Sequence, residues 1–240
     1  METNSEKIIS LFVDKYGLTR GQVMAEIEKT FSSMLSLWHK KNVIALFTGN
    51  SLTANAYHRT HAEIFQIPVD LVSVRGWNTI KRIIEKNLGR TACLEEVNLL
   101  KRKEHQVLWG EIVKQNGKCL LVEMNIEFKR IIATCRFCHI GQHEREKMTI
   151  GQRRAFHLRR VDPVQVEDVF RTQVLVDRVS KNLVTGLLRE KSGFAKRKIR
   201  CLKRYVGHKS FVETDRFIPG KHILAVGREL DEHIQVKVTR

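Results

Sequence analysis

Residues 107–124 read VLWGEIVKQNGKCLLVEM, and this stretch decides how the middle of the chain folds. Val107, Trp109, Glu111 and Val113 stand at every second position, the period of a strand whose side chains alternate between two faces. Asn116-Gly117 then supplies the strongest short hairpin signal, and Leu120 to Met124 returns as the second strand. Working outward, further strands are expected over residues 130–137, 154–160 and 170–176. Five short strands with a tight turn in about seventy residues imply a small closed barrel.

An OB-fold is the common RNA-binding barrel of that size. After it, Ser180 caps a helix carrying Leu183, Val184, Leu187 and Leu188, which Ser192-Gly193 ends. Strands over residues 198–205 and 210–216 follow, joined by a turn at Gly207. Pro219 opens a helix through Ile223, Val226 and Leu230, and residues 234–238 form a last strand. That order predicts an α+β unit with its helices on one face of a three-stranded sheet.

Before the barrel, a short helix is expected over residues 6–16, stopped at Gly17. Thr19 then caps a second helix with Val23, Ile27, Phe31, Met34, Leu35 and Trp38 at three- and four-residue spacing. Strands are expected over residues 42–48 and 64–74, separated by a polar stretch of histidine-flanked turns without assigned structure, and a long helix or a helix pair over 77–103, with Gly89 the candidate break. His58 and His61 have no acidic or cysteine partner in pattern and read as surface residues. The fold class is therefore α+β multidomain: an N-terminal α/β helical domain over 1–104, an OB-fold β-barrel over 105–179 and an α+β domain over 180–240.

Charge is placed unevenly on this frame. Of the formal net +17, residues 179–240 hold +9. Within them Lys196, Arg197, Lys198, Arg200, Lys203, Arg204 and Lys209 form a basic run with no acid between Glu190 and Glu213, while Ile199, Cys201, Leu202, Tyr205 and Phe211 supply the apolar and aromatic positions of a folded sheet. A solvated face is the bland reading of such a run. Clustered cations beside alternating apolar residues favour a polyphosphate partner, which binds by releasing condensed counterions. Nucleic acid is the expected partner. No stretch approaches the apolar length of a membrane span, and Met1 to Ser10 lacks a basic and apolar leader, so a cytoplasmic protein without a membrane partner is expected. Five scattered cysteines, an odd number, point to reduced thiols.

Three stretches resemble the bacterial NusA family of transcription elongation and termination factors. Residues 92–113 (ACLEEVNLLKRKEHQVLWGEIV) are similar to the passage from that family's connecting helix into its OB-fold. Residues 174–190 (VLVDRVSKNLVTGLLRE) resemble its step from the last barrel strand into a KH domain. IRCLKRYVGHKSFVET (199–214) and ILAVGRELDEHIQVKV (223–238) look like the strands, final helix and final strand of its first KH domain. The resemblance implies single-stranded RNA as ligand and RNA polymerase as partner of residues 1–104, with effects on pausing, termination or antitermination. It departs in one informative place. A KH domain grips RNA over a G-x-x-G loop between two helices, because glycine admits the phosphates closely. Here Gly220 and Gly227 lack that spacing, and between Asp215 and Ile234 there is room for one helix. A shortened relative with a single degenerate KH-like domain is expected, with RNA held by charge on the sheet and barrel; a protein adaptor that has lost RNA binding is the rival reading.

Two other constellations bear on chemistry. Arg153, Arg154, Arg159 and Arg160 bracket one expected barrel strand, and Phe128, Phe137 or Trp109 offer base-stacking rings beside them, of which Arg153, Arg154 and Phe137 are taken as RNA-binding residues. For Trp109 a place in the barrel core is the stronger reading. Cys135, Cys138 and His139 spell C-x-x-C-H, half of a zinc site without its second pair, with His143 a further ligand candidate; structural cysteines, one buried and one exposed, are favoured over bound metal. No phosphate-cradling Gly-rich loop, H-E-x-x-H or G-x-S-x-G occurs, and Glu144, Glu146, Asp162 and Asp168 make poor metal-binding carboxylates for a nuclease. A binding protein without cofactor or small-molecule substrate is expected, not an enzyme.

Overall fold

The structure, a computed structural model, describes residues 4–59, 64–71, 76–193 and 199–239. Its first helix, α1 (Asn4–Tyr16), buries Ile9 and Phe12 on one side and stops at Gly17. α2 (Arg20–His39) begins on a full capping box: the Gln22 N–H donates to the Thr19 hydroxyl at 3.3 Å, and the Gln22 carboxamide oxygen accepts from the Thr19 N–H at 2.9 Å. Three antiparallel strands follow, β1 (Asn42–Thr48), β2 (Ser51–Arg59) and β3 (Ile64–Val69), in that spatial order. The polar stretch expected to form turns is thus a strand. Ala54 and Ala56 are its fully buried positions, with Leu52 half-buried beside them, and two small residues give a weak alternation. The expected second strand ends early, since β3 closes at Val69 and residues 72–75 lie outside the described residues, as does His61.

α2 also seals the free edge of this sheet. Glu28, Ser32 and Ser36, four residues apart and so on one helical face, lie along β1. The Val43 N–H donates to Ser36 Oγ at 2.9 Å, the Ala45 N–H to Ser32 Oγ at 2.8 Å and the Phe47 N–H to Glu28 Oε1 at 2.7 Å. Donors that would invite another strand are satisfied by side chains. α3 (Trp77–Lys101) then runs without the break expected at Gly89.

The middle segment is a closed barrel. β4 (Val107–Asn116), β5 (Cys119–Ile126) and β6 (Lys129–Arg136) form an antiparallel meander; a 3-10 turn (Phe137–His139) and the four-residue α4 (Gln142–Arg145) lead to β7 (Arg153–Val166) and β8 (Val169–Asp177). Around the barrel the order is β4-β5-β6-β8-β7, with β7 returning antiparallel to β4 and β6 meeting β8 in parallel at Thr134 and Leu175. Ile112, Leu120, Val122, Met124, Phe156, Leu158 and Val176 are buried in it.

The last segment is α5 (Lys181–Ser192), β9 (Ile199–Tyr205), β10 (Lys209–Thr214), α6 (Gly220–Leu230) and β11 (His233–Val238). The sheet order is β11-β10-β9, with β9 antiparallel and β11 parallel to β10. Leu183, Val184, Leu187 and Leu188 of α5 pack with Val226 and Leu230 of α6 and with Ile199, Cys201, Val212 and Ile234 of the sheet. Each such leucine contributes about 1.5–3 kcal/mol by its burial. The chain is a mixed α+β protein with six helices and three sheets among the described residues, and none of those helices is long and apolar enough to cross a membrane.

By its contacts the chain forms two compact units, residues 1–96 with 165–171 and residues 97–164 with 172–240. In the second, barrel and C-terminal elements share one buried cluster: Ala155 of β7 lies within the C-terminal core, and Val107 and Trp109 of β4 pack against it. Gly186 of α5 allows the approach, because a Cβ there would meet Val107 Cγ2 at 2.3 Å.

Candidate nucleic-acid interface

One face of the C-terminal sheet is covered by α5 and α6, and its register fixes what the other face presents. In rows across the sheet, Phe211 of the central β10 pairs with Lys203 on one side and Gln235 on the other, Lys209 with Tyr205 and His233, and Glu213 with Arg200 and Lys237. A bulge between Phe211 and Val212, where Leu202 is the extra residue, keeps Cys201 and Val212 inward while Lys203 and Phe211 point outward. The outward residues form a checkerboard of cations and rings. Lys203 Nζ lies 4.7 Å from the Tyr205 ring centroid, Lys209 Nζ lies 5.0 Å from that of Phe211, and the two rings meet edge to face at 6.4 Å. Glu213 is the acid on this face, set between Arg200 and Lys237.

Such a surface offers phosphates and bases complementary contacts. Ammonium groups over ring faces stay solvated enough to meet a phosphate, and each ring keeps a π-surface against which a base can stack. Sequence reading counted the aromatic pair among the apolar and aromatic positions of a folded sheet and gave it no face. The signal for that face was parity: Lys203 and Tyr205, like Lys209 and Phe211, are two residues apart and must share a face.

Of the cations taken from the sequence, Arg200, Lys203 and Lys209 stand on this face. Lys196, Arg197 and Lys198 lie outside the described residues. Arg204 is on the opposite side, and this corrects its assignment to a nucleic-acid surface. Its guanidinium donates to Glu232 Oε1 at 2.8 and 3.1 Å and to the Ser180 carbonyl at 2.7 Å, and the paired side chains are 1% and 0% exposed. Ser210 Oγ and the Gly207 N–H also donate to Glu232, at 2.8 and 3.2 Å. Burial alone would raise the Glu232 pKa, but Arg204, Ser210 and Gly207 outweigh it and hold the carboxyl below its ordinary value. The pair ties β9 to the turn before β11 and leaves no charge for a phosphate.

The barrel residues are dispersed. Arg153 is exposed on β7, whereas Arg154 is half-buried with Nη1 3.4 Å from Glu229. Phe137 is half-buried and opens the 3-10 turn instead of lying on a strand. Trp109 is not a barrel-core residue: its indole N–H donates to both Glu190 oxygens at 3.0 and 3.1 Å, and Lys191 Nζ lies 5.4 Å over its ring. Together with Arg153, Asn182 and Arg189 it lines a cleft of about 1090 Å³ between β4 and α5. Glu111, Glu123 and Glu190 also line it, so it is not a simple anion site.

The C-x-x-C-H stretch separates in space as its alternation implied, with Cys135 buried on β6 and Cys138 exposed in the 3-10 turn. Burial, then the negative field of Asp177, pushes the Cys135 thiol far up, which makes it a poor metal ligand. Among the described residues no three His, Cys, Asp or Glu side chains are arranged to hold a metal. Glu144 has a structural partner, for the buried Arg178 guanidinium donates to it through Nε at 3.0 Å.

No protein-family model matches the chain, and no curated protein matches it.

Proposed function

We propose that this protein binds single-stranded RNA on the outer face of its C-terminal sheet and acts as a NusA-like modulator of transcription. The observation that carries the reading is the Lys203, Tyr205, Lys209, Phe211 checkerboard, which joins phosphate-seeking cations to stacking rings on the face opposite α5 and α6. Two features of the fold support it. The closed barrel joins an antiparallel meander to a parallel β6-β8 contact, which suits the OB-fold reading. The α-β-β-α-β order after residue 180 suits the reading of a KH-like unit without the G-x-x-G loop. RNA contact then shifts from a glycine loop to the open sheet. In this reading residues 1–104 dock on RNA polymerase, which raises the local concentration of the sheet near emerging transcript without any chemistry of its own.

The test is charge reversal at Arg200, Lys203 and Lys209 together, with binding to a single-stranded oligoribonucleotide followed across a salt series. The wild-type affinity should fall linearly on a log-log plot, and each lost phosphate contact should lessen the slope by about 0.7. Arg204 is kept out of the set, since reversing it would unfold the module and imitate a binding defect. Equal affinity and slope in the triple variant would remove the sheet from the reading, whereas no RNA binding by the wild type would leave the rival one, a protein adaptor that has lost RNA binding.

A further inference from the structure

The barrel carries two tight hairpins with the same backbone. β5 turns into β6 through Glu127 (φ 48°) and Phe128 (φ 65°), with Ile126 and Lys129 paired across the turn. β7 turns into β8 through Glu167 (φ 48°) and Asp168 (φ 66°). Two successive positive φ angles define a type I′ turn, which favours Asn, Asp or Gly at both central positions. The second hairpin uses an aspartate where the first uses a phenylalanine. A bulky residue with positive φ is a conformational outlier, and such strain persists where function requires the side chain.

The ring gains nothing from packing that would offset the strain, for Phe128 is fully exposed. Ion pairs flank the hairpin, with Lys103 Nζ 3.1 Å from Glu127 and Arg130 Nε 2.9 Å from Glu123. A turn closed by the Ile126 and Lys129 pair therefore holds an aromatic ring in water with both faces bare. Among neighbours in sequence, Asn125, Glu127, Lys129 and Arg130 are polar and exposed. A protein hot spot sits inside a ring of contacts that exclude water, and no apolar neighbour supplies one here. An isolated ring on a chain of net charge +17 suits a flat, charged-backbone ligand better.

We infer that Phe128 is a base-stacking residue for single-stranded RNA, inserted against or between unpaired bases. This rests on the RNA reading of the sheet and adds a contact that is aromatic instead of electrostatic, so the two are separable by salt. The experiment compares wild type, Phe128→Asn and Phe128→Trp on one single-stranded oligoribonucleotide, with the Arg200, Lys203 and Lys209 reversal in parallel. Phe128→Asn suits the turn and should be at least as thermally stable as wild type, so weaker binding by it cannot be blamed on misfolding. Its affinity should fall about 5- to 150-fold with the salt slope unchanged. Phe128→Trp should keep the affinity and show altered indole emission on titration with RNA, measured against Phe128→Asn as the background from the native tryptophans. Wild-type affinity in Phe128→Asn, with binding lost in the sheet variant, overturns this inference and leaves the sheet reading standing. No RNA binding by the wild type overturns both.

Discussion

Arg204 and Lys203 are adjacent in sequence and opposite in role. Lys203 points to solvent over Tyr205, whereas Arg204 is sealed against Glu232 beneath the sheet. Removing one partner of such a pair leaves an uncompensated buried charge, at a cost of about 3–5 kcal/mol. Glu232→Gln should therefore lower the stability of the barrel and C-terminal elements together, with exposure of the Cys201 thiol to a disulfide reagent as the readout. The pH dependence follows the same pair. Because the folded state holds Glu232 below its ordinary pKa of 4.5, the unfolded chain binds more protons, and stability is present above that value. It should be lost as pH falls below 4.5 through the depressed folded pKa, with the same thiol readout. Nothing in a run of basic letters distinguishes the two cations, since the partner lies 28 residues away and the bulge at Leu202 decides which side each faces.

At the scale of elements, the strands of the barrel were legible because period-two patterning and turn residues agree there. Even so, the Asn116-Gly117 hairpin forms with Gly117 and Lys118 between the paired Asn116 and Cys119, and neither Asn116 nor Gly117 has the positive φ of a type I′ turn. The true I′ turns sit at Glu-Phe and Glu-Asp, where no glycine marks them. α3 passes Gly89 because its apolar face, with Ile80, Ile84 and Leu88, is buried on the N-terminal core and outweighs a helix penalty of about 1 kcal/mol. Edge protection was equally hidden. α5 repeats along β9 what α2 does along β1: Lys181 Nζ donates to the Leu202 carbonyl at 2.6 Å, Thr185 Oγ1 accepts from the Cys201 N–H at 3.2 Å, and Arg189 Nη2 donates to the Ile199 carbonyl at 3.2 Å. Both sets recur every fourth residue, so they resemble ordinary polar faces in sequence. Ser36→Ala should strand the Val43 N–H and lower stability by about 1–3 kcal/mol, measured by denaturant unfolding; a loss under half of that would mean the edge is held by other means.

At the scale of the whole molecule, the second compact unit is held together by Arg178, which is fully buried where β8 leads into α5. Its guanidinium reaches Glu144 beside the barrel, the Ala155 carbonyl of β7 at 2.6 Å, and Glu229 Oε1 of α6 at 2.9 Å. Burial alone would lower its pKa; the two carboxylates overcome this and leave it raised, so the residue stays cationic. Barrel and C-terminal elements that share one core should unfold in one transition, and Arg178→Met should separate it into two, as read by calorimetry, and lower the first by about 3–5 kcal/mol. A single transition at wild-type temperature would show that the shared apolar cluster suffices. The sequence marks a boundary near residue 179 by a helix cap, and nothing local shows that the arginine beside it has its anions on α4 and α6.

That arginine also limits how such a gene can be recombined. A segment cut at the apparent seam and spliced behind a foreign barrel would bring Glu229 without its cation and Gly186 without a matching valine to nest against. Exchange that preserves folding has to carry residues from β4 onward as one cassette, so lineages should inherit this pair of modules together even where their flanking partners differ.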